Sequence, residues 1–179
     1  MLKISCLISV TLILISCKEQ NQKQADNFFY AAVDRQKSSA QEIDSNIIRQ
    51  CITDYTNAIK LSPKFWEAYR NRGGLYNEEK QFDKAIADLT ISLKYADENS
   101  ATNIHDMRAY AYYGLKEYVK AIEDWTIAVD ELADPGIVLL QRAKAKWLNG
   151  QKESACEDYK KAIQIHKSLE KSKEFIKCE

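Results

Sequence analysis

The feature that most constrains this chain is a self-similarity whose period is the length of a helical hairpin. Cys51, Ala85, Ala121 and Ala155 follow one another at intervals of 34, 36 and 34 residues. Four residues after each stands a bulky side chain, Tyr55, Leu89, Trp125 or Tyr159, and seven residues after each a second small one, Ala58, Ser92, Ala128 or Ala162. Spacings of four and seven place all three on one face of an α-helix. Twelve residues before the last three markers stand Gly73, Ala109 and Ala143, each preceded by four residues by Tyr69, His105 or Leu139. Small residues at facing positions let two antiparallel helices come close, and the large residues fill the space beside them. A unit of this length cannot bury its apolar face alone, so such units stack.

The segment from Asn71 to Leu93, with Tyr69, Gly73, Tyr76, Ala85 and Leu89 in place, resembles a tetratricopeptide repeat (TPR), and Ala109–Ala128 and Ala143–Ala162 resemble two more. The resemblance covers roughly residues 30–166 and is weakest before Ile43. Asp97 stands where the family's usual terminal proline would close the unit, and Lys146 departs from the usual aromatic. The resemblance implies an all-α fold, a right-handed superhelical solenoid of antiparallel helix pairs. About three clear repeats and one degenerate N-terminal repeat would occupy 26–166, with a capping helix over 167–179. Helices are expected near 26–37, 42–61, 64–78, 82–96, 101–114, 118–132, 136–149, 152–166 and 168–177. Asn77, Gly114 and Gly150 sit where the first helix of each pair stops, a place that favours a left-handed residue. Pro63 and Pro135 sit at helix entrances, where a missing amide hydrogen costs nothing. Only two prolines and five glycines interrupt the chain.

The N-terminus has a different character. A basic start, Met1–Lys3, leads into an apolar run, Ile4–Ile15, shorter than the roughly 20 residues a membrane span needs and ordered like an export signal. Leu14-Ile15-Ser16-Cys17 resembles the lipobox of bacterial lipoproteins, which implies cleavage before Cys17 and acylation of Cys17 with palmitate-type chains. Residues 1–16 are then a signal peptide and 17–25 a polar tether, which is too featureless to pack. The Lys18-Glu19 sequel points to a lipid-anchored place in the cell envelope at the outer membrane, with its periplasmic or surface face left open. Removing 1–16 takes away Lys3 alone among the charges, so 26 Lys and Arg become 25, against 26 Asp and Glu. With no net basic field, tight tracking of nucleic acid phosphates is not expected.

A recurring charge pair could suggest chemistry. Asp54, Asp88, Asp124 and Asp158 follow the period of the repeat, and Arg72, Arg108 and Arg142 lie sixteen residues before the last three. In an antiparallel hairpin these positions lie at one level, so the pairs Arg72–Asp88, Arg108–Asp124 and Arg142–Asp158 are expected as scaffold. Asp54 has only Ser38 at the matching place and is expected to lack such a partner. Catalytic carboxylates are singular and need a cleft, whereas these occur once per repeat. No nucleophile elbow, phosphate-binding loop or HExxH segment is present. The cysteines form no CxxC and His105 is far from His166, so neither metal nor cofactor is expected.

In the resemblance, the concave groove is lined by the first helix of each pair. Carried over residue by residue, this implies Glu67, Arg70, Gly74 and Asn77, then Asn103, Asp106, Tyr110 and Tyr113, then Ile137, Leu140, Lys144 and Trp147. Ile137, Leu140 and Trp147 are also candidates for plain helix packing. The pattern that clamps peptide carboxyl ends in some TPR cochaperones is not reproduced, since Gly74 replaces its asparagine. The expected function is a non-catalytic scaffold for a protein or peptide partner. An accessory factor of an envelope hydrolase or glycan-handling system, and a self-associating structural module, remain as alternatives. Finally, Cys156 lies eleven residues before Lys167 and Cys178 eleven after it. If the tail folds back as a cap, both reach the same height, and a Cys156–Cys178 disulfide is expected. Cys51 is left as a buried thiol at a small-residue position.

Overall fold

The computed structural model describes residues 2–38, 44–169 and Cys178, with side chains from Ile15 onward. Among the described residues it contains eight α-helices and no strand: α1 (Leu2–Ser38), α2 (Ser45–Leu61), α3 (Trp66–Glu78), α4 (Phe82–Tyr95), α5 (Glu98–Gly114), α6 (Tyr118–Glu131), α7 (Gly136–Leu148) and α8 (Lys152–Ile165). The chain divides into two compact units, 1–72 and 73–179, the boundary falling within α3. Among the described residues no helix is long and apolar enough to cross a membrane.

In the N-terminal unit, α1 packs along α2. Ala25 and Ala32 of α1 and Cys51, Tyr55 and Ala58 of α2 are all buried. The Cys51 thiol donates to the Ala32 carbonyl at 3.6 Å, a sulfur contact that accounts for the buried S–H. Asp44 caps α2 by accepting from the amide of Asn46. Residues 17–25, expected as a featureless tether, are helical here and continue α1, with Ala25 fully buried. The side-chain reason is visible at Gln22, whose Oε1 accepts from Ser62 Oγ at 2.8 Å and whose Nε2 donates to Asp26 at 2.8 Å.

In the second unit the small–bulky–small triplets of α4, α6 and α8 are buried throughout: Ala85, Leu89, Ser92; Ala121, Trp125, Ala128; Ala155, Tyr159, Ala162. Each faces the small residue expected on its partner helix. At Gly73 an added Cβ would lie 2.8 Å from Leu89 Cγ, so only glycine permits that helix approach. One core cluster joins α5, α6 and α7 through Ala109, Trp125 and Val138, and a second joins α7 and α8 through Leu139, Leu140 and Tyr159. Burying side chains of this size contributes roughly 1.5–3 kcal/mol each relative to exposure.

Turn chemistry differs from the sequence expectation. Gly150 is left-handed as expected (φ 85°), but Asn77 and Gly114 are helical, and the other left-handed residues among those described are Lys80 (φ 56°) and Lys116 (φ 63°). The turn runs two or three residues beyond the expected stop, and a lysine tolerates φ > 0 where the tight turn imposes it. Gly114 serves contact instead: a Cβ there would meet the Phe82 ring at 2.4 Å. Asp97, in the place of the usual proline, caps α5 by accepting from the Ser100 amide at 2.9 Å. After α8 the chain makes a 3-10 turn over 167–169, and the expected cap over 168–177 otherwise lies outside the described residues. Leu169 and Cys178 nevertheless pack on the α7–α8 cluster. Cys156 and Cys178 are at disulfide distance, with Sγ–Sγ 2.00 Å and Cα–Cα 5.6 Å, inside the 7 Å limit for bridging.

Candidate functional site

The recurring carboxylates are spent on scaffold contacts. Arg108 grips Asp124 with both ends of its fork, Nε to Oδ2 at 2.7 Å and Nη2 to Oδ1 at 2.8 Å. Arg142 repeats the geometry on Asp158 at 2.7 and 2.8 Å. These bonds hold the Arg108 guanidinium above its usual value, against the opposing pull of burial. Burial pushes the Asp158 carboxyl up, but hydrogen bonds from Arg142 and Lys146 outweigh it and the net direction is down. Within the first unit, Arg72 donates to Thr56 Oγ1 at 2.8 Å and its guanidinium lies over the Tyr69 ring. In the second, Asp88 is buried on α4.

Asp54 does have a partner, contrary to expectation. Arg35 of α1 pairs with it, reaching from nineteen residues upstream where the other pairs use sixteen. Residues three apart share a helix face, so both offsets look onto the same carboxylate. The nineteen-residue offset recurs elsewhere: His105 Nδ1 contacts Asp124 at 2.7 Å, Trp125 Nε1 donates to Asp106 at 2.8 Å, and Tyr55 pairs with Gln36. A further repeat was missed. Thr56, Thr90 and Thr126, each two residues after an aspartate, accept from Arg72, Arg108 and Arg142, and their period was there to be read. Lys146, the departure from the usual aromatic, bonds Asp158 at 2.8 Å and Ser154 at 2.9 Å.

The expected groove residues separate into two groups. Asn77 is buried and donates to the Met107 carbonyl at 2.8 Å, so it straps α3 to α5, and its Oδ1 has no hydrogen-bond partner among the described residues. Gly74 leaves room for Met107, whose Cε would lie 2.9 Å from an added Cβ. Leu140 is buried core. Asp106 is half-buried and engaged by Trp125; burial raises its carboxyl above the usual range, and the indole bond opposes this. In the first unit Arg70 bonds its neighbour Asn71 and lies over the Trp66 ring, while Glu67 is half-buried. Apart from Glu67, these residues are engaged in structural contacts.

The others remain presented. On α5, Asn103 and Tyr110 are exposed and Tyr113 is half-buried against Tyr118 and Trp125, a setting whose burial raises its phenol. On α7, Ile137 is exposed, Lys144 half-buried, and Trp147 half-buried with the Lys152 ammonium 3.7 Å from its ring centre. The face therefore offers aromatic and aliphatic surface with amide and cationic groups beside it. Among the described residues no group of three or more His, Cys, Asp or Glu is placed to hold a metal. Cys17 is exposed on α1 and Cys51 buried, both as free thiols; burial raises the Cys51 thiol above its usual value, with Arg35 opposing.

No family model matches the chain. Among curated proteins, Sperm-associated antigen 1 of Homo sapiens is 30% identical over 98 residues, 55% of this chain but 10% of that protein. The chain thus spans about a tenth of the length of the relative it matches. Among solved structures, MamA (41-end) from Desulfovibrio magneticus RS-1 gives a TM-score of 0.70 at 17% identity, covering 84% of this chain and 78% of that one. YrrB, a TPR protein with an unusual peptide-binding site, gives 0.69 at 17% identity over 83% and 72%. The first TPR of Spaghetti (RPAP3), bound to the HSP90 peptide SRMEEVD, gives 0.53 at 17% identity over 80% and 93%. At these identities the likeness is one of fold: the chain has an all-α fold of the TPR type.

Proposed function

We propose that the chain is a lipid-anchored interaction scaffold of a bacterial cell envelope, holding a protein or peptide partner on the face that α5 and α7 present. The observation that carries this reading is the division of labour in the repeats. Arg108 with Asp124 and Arg142 with Asp158 are tied into bidentate contacts, while Tyr110, Ile137 and Trp147, bulky residues outside those pairs, stay at the surface or half-buried. Aromatic residues with a cation beside them are the types enriched at binding hot spots. YrrB and the RPAP3 repeat are fold neighbours named for bound peptide or a peptide site, which supports a peptide class of partner. Gly74 argues against a clamp for peptide carboxyl ends. Each recurring carboxylate is read as scaffold, and the reading is one of binding rather than catalysis.

Two measurements test it. Photo-crosslinking from position Tyr110 in the native envelope should capture a partner that is lost in Trp147→Ala and Lys144→Glu variants with unchanged melting curves. Retention of capture in both variants refutes the face. For the anchor, which the lipobox and the exposure of Cys17 support, the Cys17→Ala chain should no longer fractionate with membranes. A mature chain whose Cys17 peptide has unmodified mass refutes it. Turnover of hydrolase substrates by the purified chain would favour the accessory-factor reading instead.

A further inference from the structure

Cys17 lies at one edge of the N-terminal unit, where α1 passes the turn that joins α2 to α3. The Ser62–Gln22 bond, 2.8 Å long, holds the two together. Cys17 and Lys18 on α1, and Leu61, Pro63 and Lys64 on the turn, line one open groove of about 630 Å3. Lys18, Pro63 and Lys64 are exposed, Leu61 is half-buried, and Lys60 is exposed on the last turn of α2.

We infer that this edge is a docking surface for the anionic phospholipid headgroups of the membrane that takes up the Cys17 acyl chains; the inference rests on the anchor reading above. Three observations converge. First, α1 is helical through 17–25, so no slack chain separates the anchor from the folded unit. Acyl chains leaving Cys17 enter the bilayer at its surface, and whatever shares the groove with Cys17 is brought to headgroup depth. Second, what shares it is cationic: Lys18 and Lys64 line the same groove, with Lys60 close in sequence and exposed. Acidic neighbours on α1 include exposed Glu19 and half-buried Asp26, and the Asp26 carboxylate already accepts from Gln22. Third, the anchor supplies a high effective concentration, so contacts too weak to recruit a free protein suffice to orient a tethered one. A lysine near an anionic leaflet contributes about 1 kcal/mol, about fivefold in occupancy. Anchored and docked, the first unit stands on this edge with α1 leading away from the bilayer.

Lysine acylation footprinting of the full chain, isolated from membranes and reconstituted, tests the surface. In phosphatidylglycerol vesicles Lys18 and Lys64 should react about fivefold more slowly than in phosphatidylcholine vesicles, and high salt should abolish the difference. Lys37, exposed at the far end of α1, serves as the unprotected reference. In a Lys18→Gln/Lys64→Gln chain, the reactivity of Lys60 in anionic vesicles should rise to its value in neutral ones. Equal reactivity in both vesicle types, with Cys17 acylated by mass, overturns the docking surface and leaves the anchor standing. An unacylated Cys17 overturns both. Equal protection by inorganic phosphate without vesicles assigns a soluble-anion site and overturns the membrane assignment.

Discussion

Replacing Arg108 by alanine removes one of the two bidentate polar struts described in the second unit, and its effect can be worked from the contacts. The Arg108 side chain is 18% exposed and the Asp124 side chain 6%, so the pair is screened little by solvent. Truncation deletes two charge-assisted bonds, of 2.7 and 2.8 Å, and a third to Thr90 at 3.1 Å. Asp124 stays buried. Breaking a buried pair by removing one partner destabilises by about 3–5 kcal/mol, and His105, which still contacts Asp124 at 2.7 Å, places this case at the lower end. For a chain of this size about 3 kcal/mol lowers Tm by roughly 6–12 °C. The assay is thermal unfolding by circular dichroism on Arg108→Ala, Asp124→Asn and the double variant. The double variant should melt above Arg108→Ala, because it no longer buries an uncompensated carboxylate. As a control, Lys120→Ala removes the exposed Lys120–Glu117 pair and should leave the curve unmoved. An Arg108→Ala melt within a degree of the native one, or a double variant that melts lower than it, refutes the buried-strut argument.

Gly73→Ala should lower stability by about 1–3 kcal/mol despite alanine's better helix propensity, since its Cβ would press on Leu89 at 2.8 Å. Calorimetry should then find Leu89→Ala less damaging in that background than in the native chain. Adding reductant should cost about 3 kcal/mol through the loop between Cys156 and Cys178, 22 residues apart; an unchanged denaturant midpoint after complete alkylation of both thiols would contradict it. Burial, partly offset by a hydrogen bond with Asn71, pushes the Tyr55 phenol up to about 12. A folded value raised above the unfolded 10 means that the stability it contributes is intact below pH 10 and is lost as pH rises toward 12. Ultraviolet titration should therefore show one tyrosine ionising last, together with unfolding; if all ten titrate near pH 10 with the helices intact, Tyr55 is not buried.

What the sequence determined on its own is whatever depends on periodicity within one helix. Ala121, Trp125 and Ala128 share a face because helices turn every 3.6 residues, and no neighbour is needed to know it. The same holds for the pairing of hairpins by small residues such as Gly73 and Ala109, and for the common level of positions sixteen apart, where Arg108 meets Asp124 and Arg142 meets Asp158. Tertiary structure decided what depends on two helices at once. Arg35, not Ser38, meets Asp54, because a long side chain three residues away along the same face reaches the carboxylate that a serine cannot. The threonines two residues after Asp54, Asp88 and Asp124 are periodic in the sequence, but their contacts with Arg72, Arg108 and Arg142 join helices of successive hairpins, and that period alone does not name the partner. The groove list thinned for the same reason. Asn77 and Trp147 occupy matching positions of the repeat, yet Asn77 meets the Met107 carbonyl and is buried whereas Trp147 stays half-buried. Exposure of a helix face is fixed by the helix that packs on it, and that neighbour lies thirty residues away.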